Sequence, residues 1–94
     1  MGGGRPWIVA ADDDEVGRDQ LRVELERRYA ADYVVVVEGS PEAALSTVEA
    51  AHRRGERVAV VLASQWMAEL DGIEVLSRVR GLSPRTKRGL LIAL

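Results

Sequence analysis

Apolar residues fall along this chain in two alternating patterns. WIVAA (7–11), YVVVVE (33–38), VAVVLA (58–63) and GLLIAL (89–94) are short apolar runs, and the β-branched ones are too short and stiff for helices. Each reads as a strand, and VAVVLA, apolar throughout, is expected to be buried on both faces. Between them lie stretches with helical spacing. From Asp14 to Ala31, Val16, Leu21, Leu25 and Tyr29 fall near one face, with charges over the rest. GSPEAALSTVEAAHRRG (39–55) places Ser40 as N-cap, Pro41 at the first helical position and Gly55 at the stop. DGIEVLSRVRG (71–81) is a short helix predicted to start from a tight Asp71-Gly72 turn and end at Gly81, with SPRTKR (83–88) a turn before the last strand. The order βαβαβαβ with short connections means a parallel sheet with right-handed crossovers.

Composition bounds the rest. Ninety-four residues form one small domain, and such a chain buries about two thirds of its unfolded surface, so stability is marginal. With no Phe, two Trp and two Tyr, the core must come from Val, Leu, Ile and Ala. The absence of cysteine removes disulfides and thiolate metal sites and fits a cytoplasmic protein. No apolar run approaches the ~20 residues a membrane span needs. MGGGR (1–5) reads as a flexible leader before a domain at 6–94. A net charge of −2 with mixed signs argues against general nucleic-acid binding.

Ligands of open parallel sheets sit beyond the carboxyl ends of the strands. Those ends deliver Asp12, Asp13 and Asp14, then Glu38 and Gly39, then Ser64, Gln65 and Trp66. Three adjacent aspartates repel one another unless solvated or neutralised, so they are either a solvated acidic loop at a helix N-terminus or a place for a hard cation such as Mg²⁺. A glycine-rich phosphate cradle is ruled out, because DDDE would repel phosphate. His52 sits in the last turn of its helix, where a cation suits the dipole. Trp66 reads as a packing lid or a partner anchor, and Tyr29 and Tyr33 as packing residues.

IVAADDDE (8–15), VVLASQWMAELDGIEVL (60–76) and KRGLLIAL (87–94) together resemble the receiver domain of two-component response regulators over residues 6–94. The wording LASQWMAEL…RGLLIAL is similar to receivers fused to thioredoxin-reductase-like flavoproteins. The resemblance implies a flavodoxin-like (CheY-like) doubly wound α/β fold, here truncated after the fourth strand and lacking the fifth strand and last helices. It implies that Asp12 and Asp13 match a metal-binding acidic pair and that the backbone carbonyl of Trp66 is a further ligand. Met67 and Asp71-Gly72 match their motif, which puts the phospho-acceptor position on Ser64 where the family has Asp. Ala68 replaces a Pro, and Ile92 replaces the hydroxyl switch residue. The activating Lys belongs after a fifth strand, and Lys87 precedes the fourth.

A serine without an adjacent base is a poor nucleophile, and phosphoryl transfer also needs a cation against the phosphoryl oxygens. The expectation is therefore a degenerate receiver, not an enzyme, with no cofactor or weakly bound Mg²⁺, acting through protein–protein contact. Its partners would be an output domain or signalling protein, and a second copy of itself through Leu90, Leu91, Ile92 and Leu94 on an exposed apolar edge. The alternative is a fragment of a haloacid-dehalogenase-like Mg²⁺-dependent phosphohydrolase, with Asp12 as nucleophile and Asp14 as acid–base. That reading leaves the Met67 to Gly72 motif unexplained.

Overall fold

The computed structural model describes residues 4–92. Leu94 of the expected edge lies outside them. Four parallel strands, β1 (Trp7–Ala11), β2 (Val34–Glu38), β3 (Val58–Ser64) and β4 (Lys87–Leu91), form one sheet in the order β2-β1-β3-β4. The connections are α1 (Glu15–Tyr29), α2 (Pro41–Arg53) and α3 (Gly72–Leu82). The parallel sheet expected from the apolar pattern, and the doubly wound α/β architecture that the resemblance implied, are the ones observed.

All three helices start the same way. Asp14, Ser40 and Asp71 each hold extended backbone at the N-cap, and their side chains accept from the N–H of Gly17, Ala43 and Glu74 at 2.8, 3.1 and 2.9 Å. Helix α2 stops as expected, with Gly55 at φ 77°, a conformation that suits a residue without Cβ. Helix α3 does not stop at Gly81. It runs on to Leu82, and Ser83 then becomes extended (φ −149°) because Pro84 follows it. The Ser83 and Thr86 hydroxyls lie 2.6 Å apart, and Thr86 donates to the Val58 carbonyl at 2.8 Å, tying this turn to the foot of β3.

Strand β4 is displaced from its expected place. It opens at Lys87, paired with Val60, and its last ladder residue is Leu91, paired with Ser64. The edge is consequently less apolar than GLLIAL implied, since Lys87 and Arg88 are its exposed first two residues.

The sheet's two faces are covered unequally. Helices α2 and α3 pack on one, where Val9, Ala11, Val48, Val61, Ala63, Val75 and Val79 are fully buried. Helix α1 lies alone on the other, over Ile8 and Ala10, with Leu25 its one buried residue. Strand β3 therefore departs from the two-sided burial expected: Val58, Val61 and Ala63 are buried, while Ala59, Val60 and Leu62 are half-buried. Along α1, Leu21 and Leu25 face the sheet as expected, but Val16 is 65% exposed. Tyr29, also exposed, meets Tyr33 edge-on at 6.0 Å.

Candidate functional site

The strand order sets the site. Ala11 of β1 pairs with Glu38 of β2 and Ala63 of β3, so Asp12 and Ser64 continue two adjacent strands past the same edge of the sheet. Ser64 pairs in turn with Leu91, which puts Ile92 just beyond the end of β4. The fold thus gathers Asp12, Asp13, Ser64 and Ile92 at one end. Lys87 begins β4 at the opposite end of the same sheet.

The loop after Ser64 owes its shape to two contacts at its far side. Gly72 donates its N–H to the Gln65 carbonyl at 3.2 Å, and Gln65 donates to Leu91 at 2.9 Å. A Cβ on Gly72 would lie 2.6 Å from both the Ser64 carbonyl oxygen and Leu90 Cδ1. The Asp71-Gly72 pair is accordingly no reversing turn. Asp71 caps α3, and Gly72 lets the helix start against the end of β3. Met67 is buried in the core shared with α2 and α3, anchoring the loop between its exposed neighbours Trp66 (71% exposed) and Ala68.

Each aspartate already accepts one backbone N–H. Asp12 Oδ1 accepts from Asp14 at 3.0 Å, Asp14 Oδ2 from Gly17 at 2.8 Å, and Asp13 Oδ2 from Ala68, across the loops, at 2.8 Å. Among the described residues no three His, Cys, Asp or Glu side chains converge as a metal would require. Two carboxylates that already accept backbone N–H groups, with a serine hydroxyl where the resembled motif has a third carboxylate, do not fit a strong Mg²⁺ site.

Two residues make contacts at the site that the sequence did not reveal. Arg18 is half-buried, its guanidinium crossing Gly39 so closely that a Cβ there would sit 2.8 Å from Nη1, with Nη1 3.4 Å from the Asp12 carbonyl. A cation in the first turn of a helix, where the dipole favours anions, was the available signal. Ala68 carried its signal in standing where the resembled motif has proline. Gln65 Oε1 is buried and has no hydrogen-bond partner among the described residues.

No protein-family model matches the chain, and no curated protein matches it significantly. Solved structures do. A response regulator receiver domain protein from Clostridium thermocellum superposes with a TM-score of 0.76 at 18% identity, over 93% of this chain and 64% of that one. The signal receiver domain of an HD domain-containing protein from Pseudomonas fluorescens Pf-5 gives 0.72 at 24% identity, over 94% and 64%. The chemotaxis protein CheY4 of Vibrio cholerae gives 0.70 at 21%, over 95% and 68%. The chain has the receiver-domain fold and spans about two thirds of the length of these structures.

Proposed function

We propose that this chain is a receiver-like module of two-component or phosphorelay signalling that acts through protein–protein contact and does not accept a phosphoryl group. The observation that supports this reading is Ser64 at the end of β3, beside the Asp12 strand end, at the position where the motif that the chain resembles has its acceptor aspartate. A neutral serine hydroxyl is not the anionic carboxylate that forms an acyl phosphate. Ile92, 59% exposed, brings no hydroxyl to the same end.

On this reading Mg²⁺ is held weakly or not at all, by Asp12, Asp13 and the Trp66 carbonyl. The module works as a pseudo-receiver in the cytoplasm, and among the described residues no helix is long and apolar enough to cross a membrane. The phosphohydrolase alternative gains nothing from the geometry. The Asp14 carboxylate that it needs as acid–base already accepts a hydrogen bond as the α1 cap.

What remains for function is surface, and a second copy of the chain is its first partner. Among the described strands β4 is a sheet edge, and beside α1 an apolar groove of about 400 Å³ is lined by Ile8, Leu25, Tyr33, Val60 and Leu62 among others. Leu90 contacts the α3 side, so strand alternation sends Leu91 to the groove side with Gly89, which meets Leu62. A twofold dimer through β4 would pair Leu91 and Ile92 across the axis.

Two measurements test the reading. Incubation with acetyl phosphate and Mg²⁺ should leave the intact mass unchanged, and an adduct of one phosphoryl group on Ser64 or a neighbouring aspartate would overturn it. Sedimentation should give a dimer that Leu91→Lys dissociates. A folded monomer at tens of micromolar, which would put the association below about 6 kcal/mol, would remove the second copy as partner.

A further inference from the structure

Taking the pseudo-receiver reading as its premise, we propose that the Asp13–Ala68 hydrogen bond replaces the metal ion as the link between the loop after β1 and the loop after β3. The bond spans 55 residues of sequence, and among the described residues no other side-chain hydrogen bond joins these two loops. Its donor exists only because residue 68 is not proline. A proline there has no N–H to give, and Asp13 would face solvent or a cation with that oxygen free.

The two departures from the resembled motif act in the same direction. Ser64 takes away the carboxylate that would complete a cation's coordination, and Ala68, four residues on, supplies a neutral donor to a carboxylate that remains. A cation that binds Asp13 through Oδ2 must compete with a 2.8 Å hydrogen bond. Asp12 and Asp14 do not relieve that competition, since each already accepts a backbone N–H of the α1 entry. Buried Met67 fixes the loop from beneath, so Ala68 is presented to Asp13 without an ion to organise it. The loop pair is then a fixed surface that metal does not switch.

The test compares Mg²⁺ affinity and amide exchange in the intact chain. In the wild type the Ala68 amide should exchange slowly with or without Mg²⁺, and Asp13→Ala should release that protection, by about tenfold for a bond of this kind. Ser64→Asp restores a third carboxylate and should create measurable Mg²⁺ binding. Adding Ala68→Pro to it should tighten binding by a further factor of about ten, because the ion no longer competes for Asp13. That gain should vanish when Asp13→Asn is also present, an outcome that a merely structural effect of proline would not give. Unprotected exchange of the Ala68 amide in the wild type, or equal affinities with and without the proline, would overturn the proposal. Should the proline variant fail to fold, the exchange rates of wild type and Asp13→Ala decide alone. Phosphorylation of the wild type would defeat the pseudo-receiver reading, whereas only the amide and affinity data defeat this one.

Discussion

Val61 and Leu62 are consecutive residues of one strand, and they live in different environments. Val61 points to the face that α2 and α3 cover and is fully buried; Leu62 points to the face that α1 covers alone and is half-buried. The same contrast runs across the sheet. The doubly covered face is closed by Val and Ala side chains from every layer, and small residues let two helices sit close. The other face ends in a groove beside α1 with Tyr29 and Tyr33 at its rim. Local sequence does not separate the two, because β3 is apolar throughout. The number of helices above each face does.

Charge substitution breaks this comparison most sharply. Val61→Asp should abolish folding, because an unpaired carboxylate in a packed interior costs several kcal/mol and a domain holds only about 5–15. Leu62→Asp, one residue on, should leave a cooperative far-UV circular dichroism melt. Unfolding of both variants would mean that the α1 face is closed in solution, by a second copy or otherwise.

Two glycines sharpen it at smaller amplitude. Gly72→Ala pushes a methyl against the Ser64 carbonyl, which is backbone and cannot turn aside, so a loss of about 1–3 kcal/mol in chemical denaturation is expected. Gly89→Ala meets only Leu62 Cδ2, at 2.7 Å, on the open side. There the leucine tip can swing into the groove, and the gain in strand order offsets the contact to within about 0.5 kcal/mol.

The smallest effect belongs to the solvent side of α1. The Arg28 side chain's hydrogen bond, then the charge of Arg27, holds the exposed Glu24 carboxyl below its usual range. A depressed folded value means stabilisation that is present above the unfolded value and fades as pH falls through the folded one. Glu24→Gln should therefore lower stability slightly at neutral pH and leave the acid end nearly untouched, so that chemical denaturation across a pH series shows a shallower acid limb.

Much of this was legible in the chain. Strand–helix alternation fixed the parallel sheet, and the Asp14, Ser40 and Asp71 caps were readable because a short oxygen-bearing side chain before a helix has a particular job. Gly81 misled because glycine is a stop only where the backbone turns left-handed, and here the chain stays helical through Gly81 until Ser83-Pro84 ends it. The start of β4 at Lys87 was hidden because a ladder partner, Val60, recruits a charged residue that no hydrophobic pattern marks. At the candidate site, Asp12, Asp13 and Ser64 were singled out from the strand ends and the resemblance, and the strand order brings those ends together. The Arg18 contact and the Ala68 donor needed three dimensions, since each depends on backbone atoms from a distant segment. The orphaned Gln65 Oε1 is of the same kind, and Gln65→Met should stabilise by up to about 1 kcal/mol by removing it.

Strand order also carries a consequence for how the molecule is made. Strand β1 lies between β2 and β3, so the first of the described strands to leave a ribosome can complete only one of its two ladders before residue 58 appears. A lone parallel pair with one helix is a poor nucleus, because contacts this distant in sequence must first overcome the entropy of closing the loop. Until β3 arrives, WIVAA presents an unsatisfied backbone edge and an uncovered apolar surface to the cell. The nascent chain is thus most exposed to misassociation during the interval in which α2 is being synthesised, and a pause placed there would lengthen the hazard.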